Sequence, residues 1–321
     1  MRIFIDDGST NIKMMWKGED GKALRHMSPN SFITGWSVAF GNSDAANYEM
    51  GERKFSFNSN SAKCIRTTEV EYQYSDVNVI AIHHALHTSG IEPQPVEIVV
   101  TLPLSEYYDA DMQANRVNID RKITSVTRAV ARNKEQAFTI TSVTVRPESM
   151  PAGFKDAQVL KPNQSLLIID IGGTTTDVSQ VLGQMNGIVQ IEFLTNVGVS
   201  IVTSVVKAAL AKANTEASDY IINEMIKNRH DREFIDGCIN DASQVDNVIK
   251  EIQSGINQLS EQVMEVVRRF HGYTAVTVAG GGAMICGQNI KSSTNIRDER
   301  FNISNDPQYD VVQGLYDIDI G

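Results

Sequence analysis

Short apolar runs that end in polar, glycine-containing turns recur along the chain and predict buried strands. The first run, residues 3–5, leads into Asp-Asp-Gly-Ser-Thr at residues 6–10, and a second strand is predicted at residues 12–16. Residues 96–102 and 166–169 are apolar runs of the same kind. Short apolar runs bounded by turn residues are typical of strands inside a sheet.

Segments with helical periodicity alternate with these strands. Residues 76–89 predict a helix that Gly90 ends, and residues 116–137 are amphipathic and basic. A long apolar stripe predicts a further helix, with Ser243 and Asp246 as its capping box. Strands that alternate with helices predict α/β sheets whose ligands bind at the strand ends.

The second half of the chain begins like the first. Residues 167–174 read Leu-Ile-Ile-Asp-Ile-Gly-Gly-Thr, which repeats the order of apolar strand, Asp, any residue, Gly and hydroxyl-bearing turn found at residues 4–9. A polar segment that contains Lys161 and Pro162 precedes this second copy. The sequence therefore predicts an internal duplication with a boundary near residue 160.

Charge and cysteine content narrow the class of protein. The 321 residues include 29 Lys and Arg against 39 Asp and Glu, which gives a net charge of −10. This charge excludes direct electrostatic binding of a nucleic-acid backbone, so a link to DNA needs a basic adaptor. The three cysteines form no CxxC pair and favour a reducing cytoplasm. Neither a secretory leader nor a membrane-spanning segment is expected.

The two Asp-x-Gly turns are the first candidates for chemistry. Each turn alone is a common hairpin corner. The matched pair favours phosphate binding, because glycine lets backbone N–H groups approach phosphate oxygens closely. Hydrated Mg²⁺ accepts carboxylates at strand ends as ligands. Asp6, Asp7 and Asp170 are therefore candidate metal ligands, and the doublet leaves the choice between Asp6 and Asp7 open.

A third glycine turn, at residues 280–282, follows a predicted strand and suits contact with a nucleoside or an α-phosphate. No Lys-Ser or Lys-Thr pair follows it, and its spacing differs from G-x-G-x-x-G. P-loop and Rossmann nucleotide sites are therefore excluded.

Glu148 lies in a proline-flanked turn after a strand, where a carboxylate can orient or deprotonate a water for attack on a γ-phosphate. Taken alone, the same residue is equally an ordinary solvated loop acid. His83, His84 and His87 include an i, i+4 pair, but the Glu of an HExxH metal site is absent. We interpret these histidines as ordinary helix residues.

In this order along the chain, the segments FIDDGSTNIK, RPESMPAG, LLIIDIGGTTTDVSQV and VTVAGGGAMI resemble the actin, Hsp70 and sugar-kinase superfamily. Within it, the sequence is most similar to the plasmid-segregation actin-like ATPases called ParM or StbA. The resemblance implies an actin-like α/β fold, in which two similar ribonuclease-H-like domains flank a nucleotide cleft and each carries a small peripheral subdomain. The implied ranges are residues 1–160 with 307–321 for domain I, 161–306 for domain II, and about 33–75 and 211–242 for the subdomains.

The resemblance also implies roles for individual residues. Asp170, with Asp6 or Asp7, would hold Mg²⁺ through water, and Asp170 would also serve in catalysis. Glu148 would position the attacking water, and Lys207 would border the base or ribose. The other implied nucleotide ligands are Gly8, Ser9, Thr10, Asn11, Gly172, Gly173, Thr174, Gly198, Gly281 and Gly282.

The function implied is that of a bacterial, plasmid-encoded, cytoplasmic ATPase, with GTP as a further substrate. It would polymerise head to tail into double-stranded filaments and hydrolyse nucleotide after assembly. A ParR-like adaptor would join the filament to a centromere-like plasmid site, so the chain itself would bind neither DNA nor a membrane.

Two alternatives share the fold. One is a monomeric or dimeric kinase that transfers the γ-phosphate to a small-molecule hydroxyl, although no acceptor-facing Asp and no sugar pocket stand out in the sequence. The other is a nucleotide-gated binding protein similar to the Hsp70 ATPase lobe, against which the length of the chain counts.

Overall fold

The computed structural model describes residues 1–38, 45–133 and 137–320. The chain divides into two units, the first formed by Met1–Glu148 with Leu315–Gly321 and the second by Ser149–Gly314. Each unit has its own five-stranded sheet and its own hydrophobic core. The domain ranges implied by the resemblance stay a prediction.

The first unit contains two sheets. Its strands are β1 (Arg2–Asp7), β2 (Asn11–Lys17), β3 (Ala23–Pro29), β4 (Phe32–Thr34), β5 (Asn47–Met50), β6 (Arg53–Phe57), β7 (Pro95–Leu102), β8 (Ala131–Arg132) and β9 (Thr139–Pro147). Its helices are α1 (Asp76–Thr88), α2 (Leu104–Tyr107) and α3 (Arg116–Val126). The main sheet has the order β3-β2-β1-β7-β9, and the smaller antiparallel sheet has the order β4-β6-β5-β8.

The second unit contains one sheet with helices around it. Its strands are β10 (Ser165–Ile171), β11 (Thr176–Leu182), β12 (Ile188–Leu194), β13 (Ala275–Ala279) and β14 (Phe301–Asn302), in the order β12-β11-β10-β13-β14. Its helices are α4 (Phe154–Gln158), α5 (Val199–Lys212), α6 (Asp219–Lys227), α7 (Arg232–Gly237), α8 (Val245–Val267) and α9 (Ala283–Ser293). The last helix, α10 (Asp310–Ile320), continues from the second unit into the first.

The two five-stranded sheets share one topology. β1 pairs antiparallel with β2 and parallel with β7, and β10 pairs antiparallel with β11 and parallel with β13. In both sheets an outer antiparallel strand and an outer parallel strand complete the order. The α/β class and the internal duplication predicted from the sequence are confirmed.

The helix α1 is buried in the core of the first unit. Its N-terminus is capped by Ser75, whose hydroxyl oxygen accepts from the backbone N–H of Asn78 at 3.2 Å. The helix is buried on nearly all sides, including His83 and His84. A helix that is apolar around most of its surface belongs inside a core, and α1 is a central element of the first unit.

Two expectations about helices need correction. The amphipathic stretch at residues 116–137 is helical only over Arg116–Val126, because Ala131–Arg132 pairs with β5 instead. The proposed capping box is wrong: α8 begins at Val245, and the Ser243 hydroxyl donates to Asp241. Residues 134–136 of that stretch, and residues 39–44 of the predicted subdomain, lie outside the described residues.

Candidate functional site

The turn between β1 and β2 contains a carboxylate and an ammonium group. In the strand register Asp6 lies opposite Lys13, and Lys13 Nζ is 2.9 Å from Asp6 Oδ2. A Cβ atom added to Gly8 would lie 3.0 Å from Lys13 Nζ, so the ammonium group lies against the turn itself. Burial raises the pKa of the Asp6 carboxyl, and the Lys13 charge opposes that effect.

Asn30 fixes the backbone of this turn. Its side-chain amide donates to the carbonyl oxygens of Gly8, at 2.8 Å, and of Ser9, at 3.0 Å. Its backbone N–H donates to the carbonyl of Thr10 at 2.9 Å. Since three successive carbonyls bond to Asn30, the turn is held in one conformation.

Asp7 has a different environment from Asp6, because successive side chains of a strand point to opposite faces. Asp7 is fully buried and forms an ion pair with Lys122, which is also fully buried. Asn78 Nδ2 donates to Asp7 Oδ2 at 2.9 Å, and the backbone N–H of Thr101 donates to Oδ1 at 3.1 Å. Burial lowers the pKa of Lys122, although the charge of Asp7 opposes this. Of the two candidates, the structure brings only Asp6 to the glycine turn.

Glu148 lies at the end of β9, in the same unit. Its backbone N–H donates to the carbonyl of Leu102 at 2.8 Å, and the Thr101 hydroxyl lies 3.2 Å from its Oε1 atom. The next residue, Ser149, is buried and has a φ of 67°, a conformation that non-glycine residues adopt only where the surroundings impose it. Glu148 therefore has a fixed backbone and a half-buried carboxylate.

The turn between β10 and β11 is the counterpart in the second unit. Asp170 lies opposite Asp177 in the register, and both side chains are buried. The backbone N–H groups of Val199 and Ser200, at the start of α5, donate to the carbonyls of Gly172 and Gly173 at 3.0 and 2.9 Å. The helix N-terminus therefore holds this turn as Asn30 holds the first.

Two glycines are required by close approaches around this second turn. A Cβ atom on Gly198 would lie 2.7 Å from the carbonyl oxygen of Gly173, so no larger residue can start α5 at this point. Gly280 has a φ of 78°, and its Cβ would lie 2.4 Å from Asp170 Oδ1. The Gly280–Gly282 segment is thus packed directly against the acidic end of β10, so the structure brings residues 280–282 and Asp170 together.

Gly281 differs from its neighbours, because the nearest atom to an added Cβ is Gln308 Cγ at 3.8 Å. Gln308 Nε2 lies 3.4 Å from Met284 Sδ, and half of the Met284 side chain is exposed. Sequence reasoning missed Gln308 and Met284 as neighbours of this glycine turn. Gln308 is 27 residues from Gly281 by their numbers, 308 minus 281, so spacing along the chain gave no signal.

Lys207 and two of the α1 histidines have other surroundings. Lys207 pairs with Asp219 of α6, and its predicted contact with a base or ribose stays a prediction. The side chains of His83 and His84 lie in the core of the first unit. Within the described ranges, no group of three or more His, Cys, Asp or Glu side chains could hold a metal by itself.

Sequence reasoning also missed Lys13. The signal was present, because an Asp at the end of one hairpin strand and a Lys seven positions later face each other when the turn between them is short. Counting seven positions from Asp170 in the same way gives Asp177, which lies opposite it in the second hairpin. Both partners were visible in the sequence once the register of the two hairpins was counted.

Two α/β units of the same topology, each with an Asp-x-Gly hairpin, define an actin-like protein. Family models described as the N-terminal and C-terminal parts of the plasmid segregation protein ParM match residues 1–159 and 160–318. The chain therefore belongs to the ParM/StbA family of plasmid-segregation proteins, as the resemblance implied.

Solved structures support the same fold. An archaeal actin homologue, with 17% sequence identity, matches with a TM-score of 0.69 over 99% of this chain and 98% of its own. A ParM from a 15-stranded filament of Clostridium botulinum matches with a TM-score of 0.72 at 15% identity, over 99% of this chain and 98% of its own. AlfA from a B. subtilis plasmid, solved as a filament, gives 0.62 at 11% identity, over 100% and 99%. No curated protein sequence matches significantly.

Among the helices described, none has the length and apolar character that crossing a membrane requires.

Proposed function

We propose that this protein binds a Mg²⁺–nucleoside triphosphate, ATP or GTP, and hydrolyses it. The observation that carries the proposal is the pair of equivalent hairpin turns, one with Lys13 opposite the strand-end Asp and the other with Asp177 there. The Lys13 ammonium group beside the first turn suits phosphate oxygens, and two Asp residues opposite each other in the strand register suit a divalent cation. An archaeal actin homologue of similar fold was solved in complex with ADP.

The donor set of the second turn fits Mg²⁺. Asp170 and Asp177 are buried Asp residues opposite each other on neighbouring strands, and carboxylate oxygens are ligands that Mg²⁺ accepts in proteins. We propose Asp170 as the main metal ligand, because Asp6 is neutralised by Lys13. When bound, Mg²⁺ would withdraw charge from the phosphate oxygens.

Glu148 is proposed to orient the attacking water. Its carboxylate is half-buried, its backbone is fixed by Leu102, and Thr101 contacts one of its oxygens. A water-positioning residue needs this fixed direction, because the phosphoryl-transfer step depends on an in-line approach. The turns at Gly8 and Gly172 are proposed to bind phosphate groups, with Ser9, Thr10, Asn11, Gly173, Thr174 and Gly198 as further contacts.

The nucleoside is proposed to lie at Gly281 and Gly282. Gly282 donates its backbone N–H to Ile171 at 2.9 Å and packs against that side chain, so its role includes holding the turn. Gly281 has free space beside it, and Gln308 and the exposed Met284 lie nearby. An amide and a thioether next to an open glycine offer hydrogen bonding and packing to a purine.

We further propose that the nucleotide state controls head-to-tail assembly into filaments that move plasmid DNA. Support comes from membership of the ParM/StbA family and from relatives of this fold solved as filaments. Contacts that repeat head to tail without closing generate filaments. With a net charge of −10, the chain needs a basic, ParR-like adaptor to reach DNA.

Light scattering at 90° with parallel phosphate release tests this proposal. Mg²⁺-ATP, Mg²⁺-GTP and a non-hydrolysable analogue are each added to the purified protein over a range of concentrations. We expect scattering to rise above a threshold protein concentration, to persist with the analogue and to decay as hydrolysable nucleotide is consumed. Nucleotide binding without a rise in scattering at any concentration would contradict assembly.

The Glu148→Ala variant separates the two activities. It should assemble normally while phosphate release slows roughly a hundredfold or more, since water positioning and phosphate binding are different roles. Unchanged phosphate release would remove Glu148 from the mechanism.

A further inference from the structure

A buried polar cluster lies beneath the first hairpin turn. Lys122 Nζ donates to Asp7, to the backbone and side-chain oxygens of Gln73 at 2.8 and 2.7 Å, and to Asn78 Oδ1 at 3.0 Å. A buried ion pair is costly to desolvate and is tolerated only when its hydrogen-bonding capacity is filled, as it is here. The cluster therefore holds Asp7 at a fixed position.

Thr101 connects this cluster to Glu148. It is fully buried in β7, and its hydroxyl lies 3.4 Å from Asp7 Oδ1 and 3.2 Å from Glu148 Oε1. A hydroxyl has one proton to donate. The backbone N–H of Thr101 already donates to Asp7 Oδ1 at 3.1 Å, and Lys122 and Asn78 serve the other oxygen. The hydroxyl proton is therefore best used by Glu148.

Hydrogen bonds hold the backbone on both sides of Glu148. The N–H of Glu148 donates to Leu102, and the left-handed Ser149 is held by a bond from the N–H of Ala152 to its carbonyl at 2.9 Å. A hydroxyl on Oε1 restricts rotation of the carboxylate.

We infer that Thr101 is a positioning residue for hydrolysis: its hydroxyl, anchored beside the Asp7–Lys122 pair, sets the direction of the Glu148 carboxylate. This inference rests on the hydrolytic function proposed above. In that reaction a water oxygen forms a bond to the γ-phosphorus, and the bond from that phosphorus to the β,γ-bridging oxygen breaks. The electron pair stays on the nucleoside diphosphate, and a water proton passes to Glu148.

The test compares Thr101→Val with Thr101→Ser. The valine variant keeps the shape but removes the hydroxyl, and the serine variant keeps the hydroxyl. Above the assembly threshold, kcat for phosphate release should fall about tenfold or more in Thr101→Val and stay within about threefold of wild type in Thr101→Ser. The Kd for a fluorescent nucleotide analogue should change less than about twofold in both, because Thr101 acts on the water and leaves phosphate binding alone.

Thr277→Val is the matched control. Thr277 is likewise a buried threonine in a central strand, and its hydroxyl donates to Asp156. The Thr277→Val variant should lose about as much thermal stability as Thr101→Val but keep the wild-type kcat. If Thr101→Val is unfolded at the assay temperature, Thr101→Ala removes the same hydroxyl and carries the same predictions.

A double variant distinguishes positioning from an independent effect. In the Glu148→Gln background, adding Thr101→Val should produce no further fall in kcat, since Thr101 acts through the carboxylate. A further tenfold fall there, or a wild-type kcat in Thr101→Val alone, would overturn the inference. Failure of the proposed function would look different: the wild-type protein itself would release no phosphate.

Discussion

The two hairpin turns have equivalent strand registers and different charged residues. Their registers correspond position by position, so that Asp6 matches Asp170 and Lys13 matches Asp177. In the first turn the strand-end carboxylate forms an ion pair with an ammonium group, and in the second the residue opposite in the register is another Asp. The comparison shows that a duplicated scaffold conserves the geometry of a turn while single side chains decide which ion it suits.

The support beneath each turn also differs. In the first unit the residue after the strand-end Asp is Asp7, which joins the buried cluster of Lys122, and Asn30 holds the turn carbonyls. In the second unit the equivalent residue is Ile171, which is fully buried in an apolar core, and the N-terminus of α5 holds the carbonyls. In the first unit, polar support extends from Asp7 through Thr101 to Glu148.

The largest effect should come from removing the acidic character of the second turn. Asp170→Asn should slow Mg²⁺-dependent hydrolysis roughly a hundredfold or more, because charge neutralisation by a bound metal is worth several kcal/mol. Asp6→Asn should reduce it by less than about tenfold, since Asp6 is already paired with Lys13. Phosphate release measured against Mg²⁺ concentration checks this, and equal shifts in Mg²⁺ requirement for both variants would contradict the comparison.

Glycine substitutions next to the second turn should distinguish a glycine that supports the turn from a glycine that contacts the nucleotide. Gly280→Ala should lower the free energy of unfolding by about 1–3 kcal/mol from its left-handed φ alone, with a further cost from the clash with Asp170. Gly281→Ala has space and should change stability by less than about 0.5 kcal/mol, while weakening nucleotide binding. Chemical denaturation and nucleotide titration of the two variants measure both quantities. A stable Gly280→Ala would show that the turn is not packed as described.

As the pH falls, the first unit should lose stability before the second unit does. Burial lowers the pKa of His83 and of His84 to about 3, well below the ordinary value of 6.5, so these rings are neutral in the folded protein. Because the folded pKa is lowered, stability is fully present above pH 6.5 and is lost as the pH falls toward 3. At about pH 5, His83 alone should cost roughly 2 kcal/mol.

Tryptophan fluorescence reports this acid effect, because both tryptophans, Trp16 and Trp36, lie in the first unit. The urea midpoint by fluorescence should fall between pH 7 and about pH 5, and His83→Leu should reduce that dependence. The exposed His230 of the second unit provides the control, since His230→Gln should leave the dependence unchanged. A pH dependence that His83→Leu does not alter would show that the core histidines are not responsible.

Patterns that depend on local order were predicted well from the sequence. The hairpins, the helix at Asp76–Thr88 and the duplicated topology follow from apolar runs and glycine turns, which act between near neighbours. The strand at Ala131–Arg132 was missed, because its existence depends on β5, which is more than 80 residues earlier by the numbers of the paired residues, 132 minus 48. Long-range pairing overrode the amphipathic pattern.

The candidate site was predictable only in part, because some of its contacts join residues that are far apart in the sequence. The residue types at the glycine turns are visible in the sequence, but Lys122 belongs to a basic amphipathic segment that predicts a surface position. Its burial requires Asp7, which is 115 residues away along the chain. Likewise, nothing near Gly281 in the sequence points to Gln308. Contacts between residues that are distant in the sequence leave no local pattern.

The central claim is that the first turn binds phosphate through Lys13 and the second binds the metal through Asp170. Isothermal titration with ATP, with and without Mg²⁺, on wild type, Lys13→Met and Asp170→Asn tests it most directly, and the exposed Lys22→Met serves as the control. We expect Lys13→Met to weaken binding about 10–100-fold under both conditions and Asp170→Asn to abolish the gain from Mg²⁺. A Mg²⁺ gain that disappears in Lys13→Met but persists in Asp170→Asn would contradict the account.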